Sequence, residues 1–400
     1  MKIRSITYFC NPKYPLDESV LQKAGTFLSE AKSAYEAAGY EVQTTRLATI
    51  PFPRLLGEKN INDLPKLADR LTIAIQQVDI AYVSLGPALP EIARSYEVIP
   101  DAISASQNIF FGGEMASKKK GISLPALKAC AEVIVKCATI EPNGFANLQF
   151  AALAKVEAGT PFFPAAYHDS DESAFAIATE SADLAVRSFA NAKSIGEGRE
   201  NLIGEIEKHG KKLAKVAKTL NCRFGGIDFS LAPFPTIAQS LGTAFEKLGI
   251  PQIGCHGSLA AAAILTESID RANFSHTGFS GLMMPVLEDA TLAKRAAEGT
   301  LTIKDVLLYS SVCGTGLDTI PLPGDTTSEQ LVPLLLDLCA LALRLDKPLT
   351  ARLMPIPGKK ASDETNFDFA FFAPSRVMAL DSAELNFPLN SQEVLQINKR

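Results

Sequence analysis

The sequence lacks paired cysteines, long apolar runs and a broad basic region, and each absence argues against a class of protein. The seven cysteines are spread singly, without a Cys-x-x-Cys motif, which indicates reduced thiols and argues against structural zinc. No uninterrupted apolar segment approaches the ~18–20 residues that span a bilayer. The net charge of -5 mixes both signs, which does not suit a phosphate backbone. We therefore expect neither a membrane nor a nucleic-acid partner.

Signals for export and for a repeat architecture are also missing. The first eight residues read as a short strand without the apolar core and cleavage site of a secretory signal, so we expect a cytoplasmic protein. The 400 residues are 47% hydrophobic and can bury a large core. We predict one large α/β domain over 1–400, with a possible subdivision near 194–200 into an N-terminal half and a motif-rich C-terminal half. We also expect a homo-oligomer, because homo-oligomers are common among soluble proteins.

The N-terminal half alternates strand and helix patterns, which is typical of α/β proteins. Apolar residues predict strands over 3–10, 41–50 and 80–85 and helices over 18–38 and 61–78.

Candidate chemistry concentrates between residues 224 and 360, where short polar segments follow apolar runs. In a predicted strand over 224–231, alternation places Asp228 and Ser230 on one face. Such a carboxylate and hydroxyl can bind a polar ligand, or equally can anchor neighbouring backbone. The following residues predict a helix over 237–248 with Thr236 as its N-cap.

A predicted strand over 250–254 leads through a glycine turn into a helix over 259–268. This arrangement leaves the amides near Gly257 and Ser258 free for an anionic substrate group. His256 then serves either as an acid or base beside that group or as a turn stabiliser. A thiolate nucleophile at the preceding cysteine is a weaker alternative, because adjacent residues point in opposite directions.

Three further positions complete the predicted site. Ser280 lies in a Gly-Phe-Ser-Gly segment whose spacing does not match a nucleophile elbow. Asp318 follows a Gly-x-Gly that lacks the third glycine of a dinucleotide fingerprint. Arg352 lies in an apolar strand, where a guanidinium needs a carboxylate from the protein or from a substrate. Glu288 reads as a first-turn acid that complements a helix dipole.

A metal site has only weak support in the sequence. His168 is followed by several acids, and Asp325 lies in a glycine turn, but neither belongs to a recognised ligand spacing. Whether any metal or cofactor is bound stays open.

The segments around Asp228, His256, Ser280, Asp318 and Arg352 resemble the uncharacterised PFL-like family, domain-of-unknown-function family 711. The resemblance implies a barrel-like α/β fold similar to that of glycyl-radical enzymes such as pyruvate formate-lyase. It does not imply radical chemistry, because the C-terminal region lacks the radical glycine motif.

These features favour an enzyme that acts on a small carboxylate- or phosphate-bearing metabolite by acid/base chemistry. His256, Asp228 and Asp318 are the expected catalytic residues. The expected substrate-binding residues are Ser230, Gly257, Ser258, Ser280 and Arg352. The alternatives are a metabolite-binding regulatory protein that does not turn its ligand over, and a structural oligomer with no ligand.

Overall fold

The computed structural model of the protein describes residues 1–399, whose strands join in one mixed sheet. The strands are β1 (Lys2–Cys10), β2 (Val42–Thr49), β3 (Tyr82–Ala88), β4 (Ile109–Ser117), β5 (Gly121–Ser123), β6 (Phe150–Ala154), β7 (Ala174–Glu180), β8 (Arg223–Ala232), β9 (Gly316–Pro323), β10 (Leu349–Ile356) and β11 (Val394–Leu395).

The helices pack against this sheet and against one another. They are α1 (Glu18–Ala37), α2 (Phe52–Leu56), α3 (Leu64–Gln76), α4 (Arg94–Glu97), α5 (Ile99–Ser104), α6 (Leu124–Ala138), α7 (Ala182–Ala190), α8 (Ile195–Ala217), α9 (Leu241–Lys247), α10 (Ser258–Arg271), α11 (Ala290–Glu298), α12 (Ile303–Tyr309) and α13 (Ser328–Arg344). Short 3-10 helices cover Glu58–Asp63, Phe145–Gln149 and Ile237–Gln239.

Local sequence explains why the first strand and helix form where they do. Residues 5–10 of β1 are all buried, as expected for a strand covered on both faces. The Asp17 side chain accepts a hydrogen bond from the Ser19 amide and caps α1, which satisfies a free donor of its first turn. Leu21, Ala24 and Leu28 then recur on the buried side of the helix.

Five neighbouring strands of the sheet run parallel, and antiparallel pairs flank them. The order is β8-β7-β1-β2-β3-β4-β6-β10-β9, with β5 and β11 attached beside β4. Strands β1, β2, β3, β4 and β6 are mutually parallel. Strand β7 pairs antiparallel with β1, and β10 pairs antiparallel with β6. The fold is therefore mixed α/β, and the predicted strand and helix alternation of the N-terminal half is confirmed.

The sheet is strongly curved. Five strand spacings separate β1 from β10, which would place them roughly 24 Å apart in a flat sheet. Nevertheless Arg4 of β1 and Arg352 of β10 both bind the carboxylate of Glu288. The sheet must bend round so that the inner faces of these two strands approach each other.

The irregular segment 275–287 contacts both outer strands of the sheet. The Ile227 amide of β8 donates to the Ser275 carbonyl at 2.7 Å. At the other end of the segment, the Val286 amide donates to the Asp318 carbonyl of β9 at 3.0 Å. This segment therefore covers part of the opening between β8 and β9.

The structure corrects the predicted helix over 237–248 and its N-cap. Residues 237–239 form a 3-10 turn, and α9 begins only at Leu241 with Ser240 as its N-cap. The distant Asp289 carboxylate accepts from the Ser240 hydroxyl and from the Leu241 amide, both at 2.6 Å. This tertiary contact places the N-cap at Ser240, four residues beyond Thr236.

The predicted strand over 250–254 is also wrong, because these residues form turns with only an isolated bridge between Ile253 and Cys255. Gly254 has a φ of +105°, and a Cβ atom there would lie 1.9 Å from the Thr300 carbonyl oxygen. A tight turn against this neighbouring loop replaces the extended backbone.

Residues 194–200 do not form an extended linker. Ser194 caps α8 by accepting from the Glu197 amide, and the remaining residues form the first turns of that helix. Among residues 1–399, no helix has the length and apolar character needed to cross a membrane.

Candidate functional site

A cavity of about 120 Å³ opens on the curved inner face of the sheet. It lies at the N-terminal ends of the five parallel strands, each of which contributes to its wall: Arg4, Gln43, Tyr82, Phe110 and Ala151. Strands β9 and β10 supply further wall residues. The curvature of the sheet therefore brings side chains from distant parts of the chain to one place.

Two arginines of the cavity are neutralised by a chain of carboxylates. Arg4 binds Glu180, with 3.3 Å between Nη1 and Oε2, and also binds Glu288. Arg352 binds the other oxygen of Glu288 at 2.7 Å and Asp318 at 2.5 Å. Because Glu288 bridges two guanidinium groups, these ion pairs tie β1 to β10 across the cavity.

The surroundings shift the pKa values of these acids in different directions. Burial raises the pKa of Glu180, although Arg4 opposes the shift. Burial likewise raises the pKa of Asp318 against the influence of Arg352. Burial also disfavours the charged form of Glu288, but Arg352 and Arg4 outweigh it and lower its pKa. Asp318 therefore holds a proton more readily than an ordinary aspartate.

A third arginine, Arg46, lines the same cavity without a carboxylate partner. Its Nε donates to the Thr44 hydroxyl at 2.9 Å, and its guanidinium lies 5.0 Å from the Phe163 ring and 5.7 Å from the Tyr82 ring. Within the described residues, no acidic oxygen lies within 4.0 Å of its side-chain nitrogens. Burial and the positive charge of Arg4 lower the pKa of Arg46 to about 9, so it stays cationic at neutral pH.

Irregularities in strand register place several of these charged groups. Arg4 is the extra residue of a bulge, since Ile3 faces Thr179 and Ser5 faces Ala178. The register between β10 and β9 also shifts at Arg352. Bulges change the direction of a side chain and are frequent beside functional sites.

Aromatic residues of the C-terminal region cover part of the cavity. Phe369 and Phe371 belong to its wall. The Phe371 ring lies 6.0 Å from the Arg4 guanidinium and 5.7 Å from the Phe234 ring. The Phe369 ring packs 5.1 Å from Phe145. The cavity is therefore lined by charged side chains of the strands on one side and by aromatic side chains of the C-terminal region on another.

Asp228 and Ser230 share one face of β8, as predicted, and fasten the loop that contains Ser280. Oδ1 of Asp228 accepts from the Ser230 hydroxyl at 2.6 Å and from the Ser280 amide at 2.8 Å. Its Oδ2 accepts from the Phe279 amide at 2.7 Å. Burial raises the pKa of Asp228 to about 6 despite these bonds.

This network positions the cavity wall without forming part of it. Phe279 and Met283, which follow the fastened turn, line the cavity, whereas Asp228, Ser230 and Ser280 do not. The sequence allowed Asp228 and Ser230 either to bind a polar ligand or to anchor neighbouring backbone. The observed hydrogen bonds favour the anchoring role. A catalytic or substrate-binding role for these three residues stays a prediction.

The structure does not bring His256 into the cavity that contains Arg352. His256, Gly257 and the neighbouring cysteine are exposed at the start of α10. The Ser258 hydroxyl donates to the Cys255 carbonyl at 2.8 Å and accepts from the Gly254 amide at 3.2 Å, which closes its own turn. Roles for His256, Gly257 and Ser258 in chemistry therefore stay predictions without support from the cavity geometry.

The two weak metal candidates lie apart from any cluster of potential ligands. The His168 ring is buried, and its Nε2 has no hydrogen-bond partner in the described residues. Asp325 is exposed. The part of the chain that the structure describes contains no group of three or more His, Cys, Asp or Glu side chains that could hold a metal ion.

Sequence reasoning found Asp318 and Arg352 but missed Arg46 of the cavity and three members of the ion-pair cluster, Arg4, Glu180 and Glu288. Arg4 lies in a strand rich in apolar residues, so the argument applied to Arg352 would have identified it, whereas Arg46 follows two threonines and gives no such signal. Glu180 ends an apolar strand and is buried. Glu288 was interpreted as a helix-dipole acid, yet it binds two guanidinium groups, and Asp289 is the residue that caps α11.

Comparison with known proteins gives the family. The family model described as "Uncharacterised ACR (DUF711)" matches residues 1–375. A UPF0210 protein of Pyrobaculum islandicum is 30% identical over 345 residues, which cover 81% of this chain and 76% of that protein. A UPF0210 protein of Oenococcus oeni is 26% identical over 366 residues, covering 87% of this chain and 81% of that protein.

Similarity to solved structures is low. A cellobiohydrolase mutant in its closed form matches 59% of this chain and 63% of its own, at 13% identity and a TM-score of 0.26. A match this weak gives no information about the fold or the activity of this chain. The resemblance to glycyl-radical enzymes stays a prediction, whereas the match over residues 1–375 confirms the predicted family: the chain belongs to the DUF711 family.

Proposed function

We propose that this protein is an enzyme that binds a small carboxylate- or phosphate-bearing metabolite in the cavity and acts on it by acid/base chemistry. The observation that carries the proposal is Arg46, a partly buried guanidinium in a largely apolar cavity that has no acidic partner among residues 1–399. A charge held partly out of water without a partner is costly. An anionic ligand that binds Arg46 removes that cost.

Asp318 is the proposed proton-transfer residue. It lines the cavity, and only its Oδ1 is engaged by Arg352. Its pKa is raised by burial, and a carboxyl group with a raised pKa suits general acid or base catalysis near neutral pH. Arg352 then orients the carboxyl group.

A barrel-like closure of the sheet is part of the same proposal. The contacts of segment 275–287 with both β8 and β9 support it, as does the shared binding of Glu288 by β1 and β10. In a closed sheet the arginines would face an enclosed interior that excludes water and strengthens their attraction for an anion.

Binding is tested by titrating acetate and inorganic phosphate into the full chain and measuring affinity by calorimetry. We expect Arg46→Gln to weaken binding about tenfold or more, because hydrogen bonds to charged groups contribute about 1.5–3 kcal/mol. Arg46→Lys keeps the charge and should bind with intermediate affinity. Arg70→Gln, on the exposed side of α3, is the matched control and should change nothing. Equal affinity for wild type and Arg46→Gln would refute the proposal.

Catalysis is tested on the small molecule that native mass spectrometry finds bound to the purified protein. Asp318→Asn should retain binding and lose turnover, since it keeps the size of the side chain but cannot exchange a proton. If the wild type also leaves the bound molecule intact under all conditions, the regulatory alternative replaces the enzyme.

A further inference from the structure

The walls around Arg46 are rich in apolar and aromatic side chains. Besides Tyr82 and Phe163 beneath its guanidinium, the cavity is lined by Phe110, Phe162, Phe279 and Met283. Side-chain hydroxyl and amide groups are fewer among the wall residues, where Gln43, Thr44, Tyr82, Thr315 and Thr350 supply them. Such a surface suits a ligand with a substantial apolar part.

The donors that remain free on Arg46 match a carboxylate. Its Nε is used by Thr44, while no hydrogen bond from Nη1 or Nη2 is formed within residues 1–399. Two adjacent N–H groups in one plane bind the two oxygens of a carboxylate in a bidentate manner.

The pairing of charges in and beside the cavity favours a single negative charge on the ligand. Arg4 and Arg352 are engaged by the three carboxyl groups of Glu180, Glu288 and Asp318. Arg46 is the one guanidinium of the cavity wall without a carboxylate within 4.0 Å among residues 1–399. A singly charged ligand gives Arg46 one direct partner, whereas a phosphate dianion would leave a second charge buried without a partner.

The size of the cavity limits the apolar part. Its volume is about 120 Å³, somewhat less than the roughly 150 Å³ of a dry protein cavity that holds benzene. The space therefore admits a short branched chain or at most one ring. A nucleotide or a sugar phosphate is too large for it.

We infer that the ligand of this cavity is a small apolar monocarboxylate with an aromatic ring or a branched hydrocarbon chain. The inference rests on the proposed function and narrows its substrate class. The carboxylate binds Arg46 at the charged side, and the hydrocarbon part lies between the aromatic wall formed by Phe162, Phe163 and Phe279 and the covering residue Phe371. The inferred substrate class keeps the carboxylate-bearing metabolites of the proposed function and excludes the phosphate-bearing ones.

Isothermal titration calorimetry with four probes tests the inference on the full chain. The probes are benzoate, 3-methylbutanoate, acetate and inorganic phosphate. We expect benzoate or 3-methylbutanoate to bind about tenfold or more tightly than acetate, because burial of hydrocarbon adds affinity with each carbon. Phosphate should bind no more tightly than acetate. Arg46→Gln should weaken the binding of each probe that the wild type binds by about tenfold or more.

A second variant separates the apolar contribution from the charge. Phe371→Ala removes an aromatic wall residue from an irregular segment, where truncation leaves the sheet intact. We expect it to weaken the binding of the apolar acids about tenfold, with less than a twofold effect on acetate.

The outcomes distinguish the inference from the proposal on which it rests. If acetate or phosphate binds as tightly as the apolar acids and Arg46→Gln still weakens binding about tenfold or more, the inference is overturned and the anion-binding proposal survives. If no probe binds, or if Arg46→Gln binds every probe like the wild type, both are overturned. Selective binding of an apolar acid that depends on Arg46 and weakens in Phe371→Ala supports both.

Discussion

Glu288→Gln should be among the most destabilising conservative substitutions in the protein. The Glu288 side chain is 5% exposed and binds Arg4 and Arg352 at once. Glutamine keeps the shape and one acceptor oxygen but removes the charge, so two buried guanidinium groups lose their common partner. Loss of one member of a buried ion pair costs about 3–5 kcal/mol.

The expected change in melting temperature follows from the size of the chain. With an unfolding entropy of about 2.1 cal/mol/K per residue, 400 residues give roughly 0.84 kcal/mol/K. A loss of about 3–5 kcal/mol therefore corresponds to a decrease of about 4–6 °C. Differential scanning calorimetry at neutral pH measures this decrease directly.

The matched control is Glu97→Gln, which removes the charge of an exposed carboxylate. Glu97 binds Arg94 at 2.5 Å, and both side chains are more than half exposed. Exposed ion pairs contribute about 0.2–1 kcal/mol, so its melting temperature should fall by about 1 °C or less. A change for Glu288→Gln no larger than that of Glu97→Gln would refute the conclusion that Glu288 holds the two strands together.

Two further predictions concern the loop that is fastened to β8. The pKa of Asp228 is raised to about 6, so the folded protein takes up a proton as the pH falls from 7.5 to 5, and this group then favours folding by about 1 kcal/mol more. Asp228→Asn removes that contribution, so the stability gap between wild type and variant should be wider at pH 5 than at pH 7.5 in urea titrations; a gap that narrows would contradict the assignment. Gly278→Ala should lower the melting temperature by more than Gly249→Ala, because both glycines have positive φ but only a Cβ at Gly278 would approach Oδ2 of Asp228, at 2.1 Å. Equal effects in calorimetry would show that backbone conformation alone matters.

Local sequence patterns predicted most of the secondary structure and part of the site. The strand that contains Asp228 and the need of Arg352 for a carboxylate partner both followed from neighbours within a few positions, and both are confirmed. The start of α9 could not be predicted in this way, because Asp289, far along the chain, sets it.

The cavity escaped prediction because its charged residues are placed by long-range geometry. Alternation along β1 does not reveal the direction of Arg4, which occupies a bulge against β7. The sequence before Arg46, which contains Thr44 and Thr45, shows neither that its guanidinium is partly buried nor that a carboxylate partner is absent. Glu288 reads as a helix-dipole acid until the curvature of the sheet brings Arg4 and Arg352 to it.

The arginines of the cavity divide into two groups with different expected effects on stability and binding. Arg4 and Arg352 are neutralised and hold strands together. Replacement of their common partner Glu288 should therefore mainly lower the stability of the protein. Arg46 has no carboxylate partner among residues 1–399, and its replacement by glutamine removes a charge whose partial burial opposes folding. Arg46→Gln should therefore leave the melting temperature of the ligand-free protein unchanged or raise it, while it weakens anion binding about tenfold or more. If Arg46→Gln instead lowers the melting temperature as much as Glu288→Gln does, Arg46 is part of the structural ion-pair cluster and the cavity has no cation reserved for a ligand.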